Sequence, residues 1–417
     1  MSRYFFFLKQ LSKRLSIRAS AFGALAIILA LFASYLAPFV PKEWADILGN
    51  NAVDEILKIV ASSMLIIVTF SLATMVASFT AASEGVTPRA ARLLMEDKQS
   101  QNVLSIFLGA FIFSIISIIT LSTGYYGNQG RFIIFIFSVL MIVVIVWTII
   151  VWFEKLSSLG RVHETIERVE FTTCHTIENT IGHLIAPKQD PQQGEVHFDI
   201  YLDAASYVQS ISLTSLQKIA KDHDIHIELK VMVGSFVFVH KPIARVSHAS
   251  TLKNTNELTS SIQNCFGLGS CRTFEEDPRF GFITLGEIAS RALSPAVNDP
   301  GTAIDVIASM TRLFTKLDRF ILDSTNKKSF DRLYLKSFDP NVFFEDIAQP
   351  ISRDGASHIE VVIRLYKSLK AIERLSSQTF GQTAILYQKK VLDRALQSLI
   401  FEDDRALLQK TIDEIEV

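Results

Sequence analysis

Histidine is absent before His163 and cysteine before Cys174, although the chain runs to 417 residues. The three cysteines, Cys174, Cys265 and Cys271, are odd in number and fit no disulfide framework, so reduced thiols and a cytoplasmic setting are expected. Cys174-His175 with His183 invites a zinc reading, but the spacing matches no common metal module, and no metal or other cofactor is expected. Positive charge is not in excess either. The formal net charge is -1, which removes the global polycation that a nucleic-acid partner calls for. No glycine-rich phosphate loop and no serine–histidine or cysteine–histidine arrangement is readable, so the chain is not expected to be an enzyme.

The most informative absence is of charge in four long stretches. They run from Ala19 to Pro41, Ile59 to Ser83, Gln99 to Gly130 and Phe132 to Phe153. Each is long enough to cross the roughly 30 Å of hydrocarbon in a bilayer. The expected fold is an α-helical membrane domain of four transmembrane helices plus a mixed α/β cytoplasmic domain, a small β-module followed by helices. The first stretch also fits a signal sequence, but it is long for one and ends in no clear cleavage site. Arg3, Lys9, Lys13, Arg14 and Arg18 precede it without an acid, and Arg89, Arg92 and Lys98 follow the second stretch. Lys42 and Lys58 are offset by Glu43, Asp46, Asp54 and Glu55, and the loop at Tyr125 and Tyr126 has only Arg131. Positive charge stays in the cytoplasm, so a multi-pass protein of a bacterial inner membrane with both termini cytoplasmic is expected.

Four regions follow: a membrane domain at 1–155, a helical stalk at 156–190, a β-rich module at 191–250 and a mostly helical domain at 251–417. The stalk reads as the last span continuing into Val162–Leu184, then broken by Pro187, Pro191 and Gly194. Alternating apolar residues predict strands from Val196, at Tyr207–Ser210, Ile225–Val231, Phe236–Val239 and Ile243–Val246, with a helix at Leu213–Lys221. The pattern suggests a compact barrel-like or sandwich module. Helices are predicted at Leu258–Phe266, Phe282–Leu293, Pro300–Leu322, Glu360–Leu375, Thr383–Ile400 and Asp403–Ile415. Residues 324–340 read as a polar loop.

Three sets of residues are candidates for function. After the second span, Pro88 opens a short amphipathic helix whose Arg89 and Arg92 would lie among lipid headgroups, or serve only as topogenic charge. Within the second span, Ser63, Ser71, Thr74 and Ser78 share one face, either a helix-packing face or a pore lining built by several copies. Ser105 and Gly109 of the third span form another small-residue face. The third set is an elbow, Arg291 to Ala303, where Arg291, Ser294, Asn298, Asp299 and Thr302 gather. Pro295 ends one helix there, while Asp299 and Pro300 suit the cap and first turn of the next. It is either a structural elbow or a ligand site.

The run Phe280-Gly281-Phe282, Glu287 and Arg291 to Ala303 resembles the signature of the predicted membrane protein family known as domain of unknown function 2254. Thr87-Pro88-Arg89, Phe107 to Phe111, Tyr207 to Ile211 and Gly234 to Val246 resemble further segments of it, with Ser206 where glycine is usual. Many members carry a histidine pair where this chain has Glu154-Lys155, so a proton-linked role for that pair would not transfer. The resemblance implies a four-span bacterial inner-membrane protein with a cytoplasmic domain, and no activity. No span carries an internal charge or a midplane proline, which disfavours coupled transport. An oligomeric channel-like protein with a regulatory cytoplasmic domain is the leading expectation. A membrane-anchored sensor or assembly factor, and an enzyme using the Asn298-Asp299 elbow, are the alternatives. Membrane lipids, further copies of the chain and a cytoplasmic ligand or protein are the expected partners.

Overall fold

The structure, a computed structural model, describes residues 15–41, 43, 52–95, 97–123, 127–158, 160–184, 196–248, 255–324, 330–335, 339–376 and 378–416. The basic residues before Leu15, the Tyr125-Tyr126 loop and the Pro187–Gly194 break lie outside the described residues. The chain divides into two compact units between Glu164 and Thr165.

The N-terminal unit is helical: α1 (Leu15–Leu36), α2 (Ala52–Gly85), α3 (Pro88–Met95), α4 (Lys98–Ser122) and α5 (Gly127–Ser158). Three stretches are long and apolar enough to cross a membrane, Ala52–Gly85, Gln99–Ser122 and Gly127–Leu156. The first expected span gives a shorter apolar stretch, Ala19–Ala33, and a 3-10 turn at Ala37–Phe39 ends its helix. α4 is the centre of this unit. Its Val103, Phe107 and Ala110 pack with Met64 of α2 and with Ile145 and Trp152 of α5. Gly109 lets α4 approach α1, since a Cβ there would stand 3.4 Å from the Phe22 carbonyl oxygen. Such close backbone approach is how small residues join helices where lipid supplies no hydrophobic drive. Asp97 starts α4 by accepting from the Ser100 amide (3.1 Å) and hydroxyl (2.7 Å).

The expected continuous stalk is corrected. α5 ends at Ser158 and a new helix, α6 (Val162–Leu184), begins after Gly160, whose φ of +85° turns the chain. Beyond Thr165, α6 is no free stalk. Ile166, Val169, Thr173 and Ile177 are buried on one face, and Thr176 donates to the Phe274 carbonyl.

The C-terminal unit continues with β1 (Val196–Ile200), β2 (Ser206–Ile211), α7 (Leu213–Asp222), β3 (His226–Leu229), β4 (Phe236–Val237) and β5 (Ala244–His248). Then come α8 (Thr255–Gln263), β6 (Phe266–Gly269), α9 (Pro278–Ala292), α10 (Pro300–Ser324), β7 (Leu333–Tyr334) and α11 (Asn341–Asp354). The last helices are α12 (Ile359–Leu375), α13 (Gly381–Ser398) and α14 (Glu402–Glu416). Two sheets form, in the orders β1-β5-β3-β7 and β4-β2-β6. All pairs are antiparallel except β3 with β7. One core joins the sheets, with Ile200, Ile227 and Val246 meeting Val208, Val237 and Phe266.

This module outgrows its expected bounds of 191–250. β6 replaces the end of the helix predicted to Phe266, and β7 lies inside the expected 324–340 loop. β6 has glycine at 267 and 269, where a Cβ would run into Ser210 and Gln209 of β2, so the strand carries no alternating signal. α11 was not predicted either. Pro350 interrupts its helical pattern, yet five buried apolar residues, Phe343, Phe344, Ile347, Ala348 and Ile351, hold it in place.

Candidate functional site

The elbow between α9 and α10 is built from its own backbone. Ser294 donates its amide (3.1 Å) and its hydroxyl (2.7 Å) to the Arg291 carbonyl, which closes the end of α9. The amides of Val297 and Asn298 donate to the Ser294 carbonyl, and the Asp299 amide reaches back to the Ala292 carbonyl at 2.8 Å. Asn298 sits at φ +50°, a left-handed conformation that asparagine tolerates better than most residues. The chain thereby reverses within one tight loop.

Asp299 stands at the head of α10. Its Oδ1 accepts from the Thr302 amide (3.1 Å) and its Oδ2 from the Thr302 hydroxyl (2.6 Å). The Thr302 hydroxyl, the Thr302 amide and the Gly301 amide hold its carboxyl below the ordinary value. This is the geometry of an N-cap, and the amides that would attract an anion are already serving the carboxylate.

The five elbow residues therefore do not converge on one point. Ser294 faces its own helix end and Asp299 faces Thr302. Asn298 pairs instead with a residue from far along the chain, His358, with Oδ1 3.2 Å from Nε2. His358 precedes α12 and ties the loop to the start of that helix. Nothing local marks this partnership, because 60 residues separate the two. Arg291 is half-buried, and its Nε is buried with no hydrogen-bond partner.

The other candidates fall as follows. Thr87 caps α3 by accepting from the Ala90 amide at 3.2 Å, so Arg89 and Arg92 point outward while Ala90, Ala91 and Leu93 are buried. On α2, Ser71 is fully buried, and Ser63, Thr74 and Ser78 are half-buried on the same inward face. Cys174 has Lys316 Nζ at 3.0 Å and Glu178 Oε1 at 3.8 Å. His175 instead meets Glu178 and Asn179. Among the described residues no group of three or more histidine, cysteine, aspartate or glutamate side chains is poised to hold a metal.

Two ion pairs with largely buried carboxylates flank α9, and motif reading did not single them out. Asp277, 2% exposed, caps α9 and receives two bonds from Arg272, at 2.7 and 3.0 Å. Arg279 makes the same fork with Asp346 of α11, at 2.8 and 3.0 Å. Burial pushes both carboxyls up while the arginines pull them down, and burial is the larger influence. These pairs clamp the start of α9 to its surroundings. The signal was present as Asp277-Pro278, a cap followed by a first-turn proline.

An uncharacterized protein of Mycobacterium bovis is 22% identical over 371 residues, covering 85% of this chain and 70% of its own length. An uncharacterized protein of Mycobacterium tuberculosis matches to the same extent. No solved structure matches. The family model described as predicted membrane protein, domain of unknown function 2254, matches residues 12–371, the N-terminal helical unit and the C-terminal unit as far as α12, and the chain belongs to that family.

Proposed function

We propose that the chain is a four-span protein of a bacterial inner membrane with both termini cytoplasmic, that it assembles as a homo-oligomer, and that copies of α2 line a channel-like path governed by the C-terminal unit. One observation carries this reading. α2 has a second stripe of hydroxyl and small residues on its outward face. Ser62, Thr69 and Thr80 are exposed at helical spacing, with Ala73 and Ala77 exposed among them and Ile66 and Val76 exposed on the same face. The inward stripe, Ser63, Ser71, Thr74 and Ser78, packs within the unit instead, which supports its role as a helix-packing face. A path between copies would be lined by the outward stripe. Arg89 and Arg92, exposed on α3, suit anionic headgroups at the cytoplasmic leaflet.

The alternative is a membrane-anchored sensor or assembly factor without conduction. It is favoured by the hydroxyls of Ser62, Thr69 and Thr80, which donate to carbonyls of their own helix and so tolerate lipid. The elbow supports a structural role over a catalytic one, because Asp299 is engaged as a cap. The discriminating experiment places single cysteines at Thr69 and Ser71 in native membranes. The channel reading expects Thr69→Cys to crosslink between copies and to react with a membrane-impermeant thiol reagent, with Ser71→Cys doing neither. A monomer in nanodiscs, with Thr69→Cys unreactive from water, would leave only the anchor. Reporter fusions after Gly127 and at Val417 test the topology. A C-terminal reporter active only outside the cell overturns it.

A further inference from the structure

The C-terminal unit carries an apolar tip that its own core does not use. β4 is an edge strand, paired only through Phe236 and Val237 with Tyr207 and Ser206 of β2. Val237 takes the inward position at 1% exposure and anchors the strand. Phe236, Phe238 and Val239 are left 45%, 46% and 50% exposed. The turn is closed by the Lys241 amide donating to the Phe238 carbonyl at 2.9 Å. These side chains are held in an ordered ladder. Tyr207 meets Phe236 edge-on at 4.9 Å, Phe236 meets Phe238 at 5.0 Å, and Phe238 stacks on His240 at 5.7 Å. Lys241 places its ammonium 5.7 Å from the Phe238 ring centre.

We propose that the tip Phe236–Lys241 docks onto a phospholipid bilayer, with Phe238 and Val239 at the headgroup–acyl boundary and Lys241 at the lipid phosphates. Aromatic rings and a flanking cation are the side chains that the bilayer interface favours. No acidic residue occurs from Val231 to Ala244, so nothing in this segment repels an anionic headgroup. The occupant is also always at hand. The same chain carries apolar helices long enough to span, which tethers the tip to a membrane and raises its effective concentration there. A peptide strand is a poorer occupant, because β4 offers two paired residues and Pro242 soon follows.

The test uses the full chain in phosphatidylcholine–phosphatidylglycerol nanodiscs. Val239→Cys, in a Cys271→Ser background, is labelled with an environment-sensitive fluorophore. Nitroxide on the lipid near the headgroup should quench it by about twofold or more. Phe238→Glu should abolish the quenching without lowering the melting temperature. Shielding that depends on protein concentration and not on lipid nitroxide, as a second copy would give, overturns the proposal, as does a fully solvated label. If the labelled variant does not fold, the wild type in nanodiscs containing a diazirine phospholipid decides. Photolabel on the peptide 231–245 is expected, and label confined to the apolar helices refutes docking.

Discussion

Replacing Gly286 with alanine adds one methyl group on the face of α9 that meets α11. A Cβ built there lies 2.5 Å from the Asp346 carbonyl oxygen and 3.2 Å from the Ile347 Cα. Both are backbone atoms, and neither can swing aside. The reason for such closeness lies on α11. Pro350 has no amide to offer the carbonyl four residues earlier, which is that of Asp346, and α9 passes over this carbonyl at a glycine. Overpacking a fitted core costs about 1–3 kcal/mol, and backbone obstruction belongs at the top of that range. Alanine recovers about 1 kcal/mol of helix propensity. The net expectation is a loss of about 2 kcal/mol. At about 2–4 °C per kcal/mol for a unit of this size, the melting temperature should fall by about 4–8 °C.

A thiol-reactive fluorogenic dye suits the assay in a Cys271→Ser background, since the other two cysteines, Cys174 and Cys265, are buried in the C-terminal unit. Cys265 is buried and its thiol is pushed up to about 11, so it reacts only when the unit opens. Gly301→Ala is the control. Its Cβ would meet only the Asp299 carboxylate, at 3.3 Å, a side chain that can shift, so alanine there should cost less than at Gly286. Gly281 offers a second case, because a Cβ would lie 2.6 Å from Thr173 Cγ2 and 2.7 Å from its Cβ on α6. That obstruction is a side chain, so Thr173→Gly should restore part of what Gly281→Ala loses, with a coupling of about 1–3 kcal/mol. The reasoning fails if Gly286→Ala melts at or above the wild-type temperature, for then propensity alone would be acting.

Three further outcomes are expected. Asp299→Ala should cost about 1 kcal/mol and Asp299→Asn much less, because asparagine also caps. The lowered Asp299 carboxyl adds stability above its unfolded value, lost as pH falls through the folded value, so acid melts should show Asp299→Ala converging on wild type. Arg272→Gln strands a buried carboxylate at Asp277 and should cost about 3–5 kcal/mol near neutral pH. A raised carboxyl binds its proton more readily when folded, so stability falls as pH rises through that window. The defect should therefore shrink as the pH is lowered, by the same linkage, and a pH-independent defect would refute the stranded charge. Ser71 Oγ is buried with no hydrogen-bond partner, so Ser71→Ala should be neutral or slightly stabilising in thermal melts. A marked change in ion flux with that variant would return the inward stripe to a path.

Three of the four expected spans were legible as long apolar helices because charge is the costliest thing to bury in lipid, and its absence over long runs leaves little choice of structure. α2 extends past the uncharged run at both ends, through Asp54, Glu55 and Lys58 before it and Glu84 after it. α10 was legible from Asp299-Pro300, which states a cap and a first turn in two residues. Strands β1 to β5 followed from alternation. The missed β7 and α11 share a cause: they depend on partners distant in sequence. β7 exists because Ile227 and Glu228 of β3 accept Leu333 and Tyr334 alongside them. α11 tolerates Pro350 because Phe343, Phe344 and Ile347 are buried. The Asn298–His358 contact likewise has no local mark.

The family signature takes on a different meaning beside these contacts. Phe280-Gly281-Phe282 and the elbow read from sequence as either a structural elbow or a ligand site, and the contacts around α9 are those of assembly. Gly281 and Gly286 point to different sides of α9, one toward α6 and the other toward α11. Phe282 packs edge-on against Phe314 of α10 and Phe343 of α11. Asp277 fixes where α9 begins, and Ser294 fixes where it ends. A helix held at both ends and on three flanks is a central strut, and residues in such a position are constrained by packing before any ligand is considered. Function is then better sought on surfaces that packing leaves free. Two of those are the outward face of α2 and the aromatic tip of β4, and both present apolar or hydroxyl groups suited to a bilayer or to another copy rather than to a soluble substrate.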